Sequence, residues 1–360
     1  MEAFAMRLKE LRERYQMTLQ QLADQLDVSK QAVHRLESGE MKPSSELLLN
    51  VCEIFNKPYE YFREGIEDRY QLEQISFRHN SEKRVKQLTL LEIKQEVLNE
   101  VTYFIDLENL LGIGRTFENP LAGLGITDKK DVEKAAKQLR KKWKLGSVPI
   151  ADVVDTLENK GVYVVEVNYN EDFSGLSTMM NEEIPVVVLN RNVRSIERKR
   201  LTAIHELGHL ILQFAKDLDE ETIERYCNHF AGAVLIPDEI LWEELGKKRL
   251  GISFSELKRI KETYGISIQA IIFRANETGY ISPRDLSSWL NTYEEWKNNE
   301  MRIIGSGKFL GREKPIRKET LLVRALAEKR IMWSKAAEIM HTNIDHLKTQ
   351  FGSEVLAIRN

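Results

Sequence analysis

Cysteine is almost missing from this chain. Cys52 and Cys227 are the only two, 175 positions apart, so neither a disulfide framework nor a cysteine-built zinc cluster can form, and a reducing compartment fits. An excess of one charge is missing too. The 53 Lys+Arg against 56 Asp+Glu leave a net of −3, so no polycationic field draws the whole molecule onto nucleic acid or an anionic membrane, and any DNA contact must be local. Long apolar runs are also absent. Met1 to Arg7 holds no apolar stretch of signal-peptide length, and nowhere do about 18 apolar residues follow one another as a membrane span requires. The expectation is a cytoplasmic protein without a membrane partner.

There is ample chain for a core. At about 150 residues per domain, 360 residues predict two or three domains, and 30% charged with 42% hydrophobic residues sits in the globular range. The first 62 residues read as a helical block. Phe4, Leu8, Leu11 and Tyr15 recur at helical spacing, so a first helix has a core-facing stripe. Thr18 can N-cap a second helix carrying Leu19, Leu22, Ala23 and Leu26; Ser29 can cap a third through Val33 and Leu36, stopped by Gly39. A fourth follows Pro43 through Leu47 to Phe55. Two short helices joined by a tight turn inside such a bundle form a helix-turn-helix arrangement.

The stretch from Thr18 to Gly39 resembles the helix-turn-helix of the XRE (phage-repressor-like) family, and the likeness runs from about residue 6 to 62. The resemblance implies that the helix from Ser29 enters the major groove of a double-stranded DNA operator, with Lys30, Gln31, His34 and Arg35 presenting polar tips to phosphates and base edges. Leu19 stands where many relatives carry a phosphate-contacting Gln, and Gln20 or Gln21 is the substitute. Residues 1–62 hold eight Lys/Arg against ten Asp/Glu, a net of −2. An autonomous DNA binder is usually basic, so the competing reading is a protein-interaction module. A homodimer reading paired half-sites would double the cationic footprint.

From about residue 63 the pattern weakens. Gly65 and Glu67-Asp68-Arg69 suggest a linker, and Leu88, Leu90, Leu91, Ile93 and Val97 a connector helix. Lys130–Lys144 and Pro149–Asn159 are amphipathic helical stretches, the second turning Val153, Val154 and Leu157 inward. Then the period changes: Val162–Val167 and Ile184–Asn190 are β-branched runs, with Phe173–Met180 a strand between them. Helices resume at about residue 194. Strands set among helices predict an α+β domain with a small antiparallel or mixed sheet.

His205-Glu206-Leu207-Gly208-His209 is the sharpest feature. On a helix, positions i and i+4 share a face, so both imidazoles can reach one ion, and Glu206 is placed to deprotonate a metal-bound water. A hydrolytic zinc needs a third protein ligand and an open fourth position. Glu220, Glu221, Glu224 and His229 are candidates; helical geometry favours Glu224, because Cys227, Asn228, Ala231 and Gly232 follow it on roughly one face and, with Gly208 opposite, allow close approach.

Arg200–Leu210 followed by Glu224–Pro237 resembles the ImmA/IrrE family of metallopeptidases, with its lead-in at Ala135–Arg140, Gly161–Val164, Ser174–Leu176 and Val186–Asn190. Cys227 replaces that family's Ala. The resemblance implies a gluzincin-type, zincin-like HExxH endopeptidase: His205, His209 and Glu224 hold Zn²⁺, and Glu206 is the catalytic base that passes the water's proton to the leaving amine. Arg225, Tyr226 and His229 are open candidates for an oxyanion partner, His229 reading more readily as a helix-surface residue. The strands near 173–190 offer an edge for an extended substrate, or are plain core strands. Ser267–Arg274 after Gly265 looks like a second turn-then-helix but reads as packing. The segment 302–348 carries eleven Lys/Arg and five Asp/Glu, a net of +6, read as a solvated face or an accessory partner surface.

The sequence therefore predicts a predominantly helical α+β chain: a helix-turn-helix DNA-binding domain at 1–65, a helical connector at 66–129, a zinc peptidase domain at 130–290 and a helical C-terminal region at 291–360. The expected function is a DNA-binding transcriptional regulator whose peptidase cleaves a repressor or antitoxin-type protein. The alternative is a non-enzymatic regulator whose zinc fold is a structural or sensory platform. Glu206 beside both histidines favours the enzyme, since a structural zinc needs no base.

Overall fold

The computed structural model describes residues 2–15, 17–55, 62, 87–168, 174–246, 252–297 and 307–356. The expected linker around Gly65 and Glu67–Arg69, and Phe173 and Arg302, lie outside them. The chain divides into two units, one of residues 1–71, 86–92 and 332–352, the other of residues 72–85, 93–331 and 353–360. Among the described residues no helix is long and apolar enough to cross a membrane.

The first unit begins with α1 (Glu2–Arg14), α2 (Leu19–Leu26), α3 (Lys30–Glu37) and α4 (Ser45–Ile54). Phe4, Leu8, Leu11, Leu22, Val33, Leu36, Val51 and Phe55 close one apolar core, as the helical spacing requires. Tyr15 departs from expectation: it lies past the end of α1, where helical periodicity no longer aims it inward, and stays 53% exposed, edge-on to Phe55. Thr18 caps α2 in a reciprocal box, its hydroxyl accepting Gln21 N–H (3.2 Å) while Gln21 Oε1 accepts Thr18 N–H (2.8 Å). Asp27 then turns left-handed (φ 52°), Val28 N–H donates to Ala23 C=O (3.0 Å), and Ser29 Oγ accepts Ala32 N–H (3.1 Å) to start α3. Arg12 ties α1 to α3 through Glu37 (2.6 Å) and donates to Met17 C=O (3.0 Å).

In the second unit come the bulk of α5 (Gln87–Leu111), β1 (Gly125–Ile126), α6 (Lys129–Lys142), α7 (Val153–Asn159), β2 (Tyr163–Val167), β3 (Gly175–Met180), β4 (Ile184–Asn190) and α8 (Ile196–Ile211). They are followed by β5 (Gln213–Phe214), α9 (Glu220–Leu235), α10 (Asp238–Leu245), α11 (Phe254–Tyr264), α12 (Ile268–Glu277), α13 (Pro283–Lys297) and α14 (Arg317–Ala327). The sheet is mixed. β4 is central, parallel to β2 and antiparallel to β3, so among the described residues β3 is an edge. β1 and β5 form a two-residue parallel pair too short to be read from alternation. α8 packs on β3, β4 and α9, and α9 on α6. One large core results, holding Val187, Leu189, Ile204, Leu207, Phe230 and Ile271 among others.

Polar groups inside this unit are tied off in clusters. Arg200, fully buried on α8, pairs with Glu313 and donates to Gly265 C=O (3.0 Å) and Ile150 C=O (2.7 Å). Glu313 in turn accepts Val153 and Val154 N–H (3.1 and 3.0 Å) at the start of α7. Glu313 lies beyond residue 290, and Leu121 and Ile126, in the same core, lie before residue 130. Part of the basic excess of 302–348 is spent internally: Lys318 pairs with Glu100, and Arg317 with buried Glu108 at 3.3 Å. The α11–α12 junction repeats the turn before α3. Gly265 is left-handed (φ 61°) and Ser267 Oγ accepts Ala270 N–H (3.2 Å), but here α12 buries Ile268, Ile271 and Ile272, the packing role expected of it. Only glycine fits at 265, because a Cβ there would lie 2.5 Å from Arg200 Nε.

The first unit also takes in α15 (Trp333–Ile339) and most of α16 (Ile344–Leu356). His341 (φ 48°) and Asn343, which caps His346 N–H at 2.7 Å, make the same turn a third time.

Candidate metal centre

α8 and α9 bring three of the expected side chains together. His205 and His209, one turn apart on α8, set their Nε2 atoms 3.1 Å from each other. Glu224 on α9 places Oε2 3.3 Å from His205 Nε2 and Oε1 3.2 Å from His209 Nε2. These three residues are the group of metal-competent side chains found among the described residues. Zinc bonds of about 2.0–2.1 Å at tetrahedral angles put neighbouring ligand atoms about 3.3 Å apart; the two Nε2 atoms have that separation, each lies as close to one Glu224 oxygen, and one donor atom from each residue falls within 4.8 Å of the others, so the donor set fits a zinc ion.

Close approach of the helices makes this possible. A side chain at Gly208 would press on Phe230 and on Cys227 Sγ (3.3 and 3.4 Å), as its small size led us to expect. Gly175 does the same for the sheet: a Cβ there would lie 2.5 Å from Thr202 Cγ2 and 3.0 Å from Val188 C=O. With that gap closed, Ser177, two residues on and therefore on the same face of β3, donates from Oγ to Glu206 Oε2 at 2.8 Å. Ser177 was not among the residues expected at the site. Its signal was the two-residue alternation with Gly175.

The electrostatics follow from burial and neighbours. Burial lifts the Glu206 carboxyl above its ordinary range, outweighing His205, His209 and Ser177, which pull it down. Burial opposes charge on His205, and the carboxylates of Glu224 and Glu206 outweigh it, so His205 is raised. For Glu224 burial again opposes ionisation, but the two imidazoles hold it at about 2.

Behind the rings, Asn228 Oδ1 lies 3.0 Å from His205 Nδ1, and Cys227 Sγ 3.4 Å from His209 Nδ1. The other candidate ligands are elsewhere. Glu220 and Glu221 are exposed on the first turn of α9. His229 corrects the helix-surface expectation: it is 2% exposed, because α9 is covered on that side, and sits between Glu133 (2.7 Å) and Glu277 (2.6 Å), with Arg274 also on Glu133. Burial opposes charge there too, yet the two carboxylates keep His229 raised, while His229 and Arg274 hold Glu133 at about 2. Arg225 is exposed and donates to Thr222 Oγ1 (3.3 Å); Tyr226 is buried in the core.

In the helix-turn-helix block, Lys30, Gln31, His34 and Arg35 are all exposed along α3. Ser29 is engaged as the cap of α3, Gln20 donates to Asp24 Oδ1 (2.8 Å), and Gln21 is taken up in the Thr18 box.

Comparison with known proteins locates two families on the chain. The profile described as Helix-turn-helix matches residues 8–62, and that of the IrrE N-terminal-like domain matches residues 157–276. No curated protein matches significantly. A crystal structure of Bacillus thuringiensis PlcR in complex with the peptide PapR7 and DNA aligns over 96% of this chain and 82% of that one, at 14% identity and a TM-score of 0.20, too low to bear on fold or function.

Proposed function

We propose that this chain, an XRE-type helix-turn-helix domain fused to an IrrE/ImmA-like domain, is a DNA-binding transcriptional regulator that is also a zinc-dependent endopeptidase. The observation that carries the reading is the convergence of His205 and His209 Nε2, 3.1 Å apart, on the Glu224 carboxylate, whose two oxygens lie 3.3 and 3.2 Å from them, with the Glu206 carboxyl beside it. His205, His209 and Glu224 would hold Zn²⁺, which when bound supplies Lewis acidity and brings the pKa of a coordinated water to about 7. Glu206, steadied through one oxygen by Ser177, takes the proton of the attacking water and returns it to the leaving amine. The side of β3 that pairs with no strand among the described residues, next to that hydrogen bond, suits an extended substrate backbone adding as a further strand. The substrate class is a repressor or antitoxin-type protein. Lys30, Gln31, His34 and Arg35 face the operator, and a homodimer reads paired half-sites in the cytoplasm.

The test is Glu206→Gln. The variant keeps all three ligands, so it is expected to retain zinc while cleavage of cellular proteins, read by proteomics of new peptide termini, falls by about 10²–10⁴-fold. Unchanged cleavage would leave the zinc fold as a platform and end the peptidase assignment.

A further inference from the structure

We propose that Cys227 and Asn228 are positioning residues for the metal, each fixing the tautomer and ring orientation of one histidine ligand, so that the zinc affinity of this chain is set in part by a buried thiol. The inference rests on the reading that His205, His209 and Glu224 hold the ion. A neutral imidazole carries one N–H, and the nitrogen that ligates must be the other. Both histidines turn Nε2 toward Glu224 and toward each other. Each therefore needs its proton on Nδ1, with an acceptor behind the ring to keep it there.

α9 supplies both acceptors from consecutive positions. Asn228 Oδ1 is 3.0 Å from His205 Nδ1, a normal N–H···O distance, and Cys227 Sγ is 3.4 Å from His209 Nδ1, the longer spacing that sulfur requires. Residues 227 and 228 are three and four positions after Glu224, one helical turn on. A single helix thus carries the third ligand and the outer partner of each of the other two, and a shift of α9 moves all three together. The sulfur is pinned. Cys227 has no exposed surface, and the space above Gly208 that holds the two helices together ends on its Sγ. Nor is Cys227 a fourth ligand: the side chains whose donor atoms lie within 4.8 Å of one another are His205, His209 and Glu224, and its sulfur is not among them. It faces the Nδ1 side of the His209 ring, whereas Nε2 faces Glu224.

Metal affinity tests this without a substrate. Full-length wild type, Cys227→Ala, Cys227→Ser, Asn228→Ala and His209→Ala are titrated with Zn²⁺ against a chromophoric chelator, and with Co²⁺ for the visible spectrum. Wild type takes up one zinc. Cys227→Ala and Asn228→Ala each bind about 10–100-fold more weakly, with apo melting temperatures near wild type. Cys227→Ser, which keeps an acceptor, recovers most of that affinity, a rescue that simple cavity repacking would not give. Wild type and Cys227→Ala share a cobalt spectrum without a sulfur-to-metal charge-transfer band. If Cys227→Ala and Asn228→Ala bind zinc as tightly as wild type, the positioning role is refuted while the metal site stands. A charge-transfer band that vanishes in Cys227→Ala would make the thiol a ligand and overturn the outer role. If wild type binds no more zinc than His209→Ala, the reading of the site itself falls, and the inference with it.

Discussion

Asp27 and Gly265 each turn the chain through the left-handed region (φ 52° and 61°), and two residues later Ser29 and Ser267 each accept a backbone N–H from the third residue of the next helix. From there the two helices part. At the third and seventh positions after the turn, α3 has Lys30 and His34, both exposed, whereas α12 has Ile268 and Ile272, at 3% exposure each. At the sixth position both bury a β-branched residue, Val33 or Ile271. The turn is thus a local device, written by a left-handed residue and a cap. What the following helix can do depends on whether its outer face is left to solvent, where polar tips can meet a ligand, or is consumed by a core.

The comparison can be strained at three points. The largest effect is expected in the core: Ile272→Ala should cost about 2–5 kcal/mol in denaturant unfolding, while His34→Ala at the equivalent position stays within about 0.5 kcal/mol. Equal costs would mean that α3 is covered after all. Next, Lys30→Ala combined with Arg35→Ala should lower affinity for a duplex selected by the wild-type chain from a random library by about tenfold or more. The salt slope should fall by about one for each cation removed from a phosphate, with no change in melting temperature. Undiminished binding by the double variant would return the block to the protein-interaction reading that its net charge of −2 suggests. The smallest effect should be shared: Ser29→Ala and Ser267→Ala should each cost about 1 kcal/mol, and a difference larger than that would show that the two turns are alike only in outline.

What the sequence made legible follows the range of the forces involved. Caps, turns and helical stripes are written within four or five residues, which is why Thr18, Ser29 and the α11–α12 turn were readable. His205 and His209 were readable for the same reason, being one turn apart. Glu224 could be inferred one step further, since the small residues that follow it announce close packing. Contacts set by tertiary fit were not legible. His229 looks like a surface residue on its own helix and becomes buried only because Glu133 and Glu277 arrive from α6 and α12. Ser177 meets Glu206 only because Gly175 admits α8, and Tyr15 escapes its stripe because α1 stops one residue short. The β1–β5 pair is too brief to leave any periodic trace.

Glu313 is the buried counter-charge of Arg200, on the same helix as both histidines of the candidate metal centre, and it also closes the first turn of α7. Asp152 and Glu197 also act on the Arg200 guanidinium, but Glu313 is the carboxylate that pairs with it in the interior, so the burial of α8 is completed by a side chain 113 positions further along the chain. The seat of α8 is therefore not set by the stretch that carries the candidate centre alone: it is closed from outside that stretch, by a side chain that also fixes the start of α7.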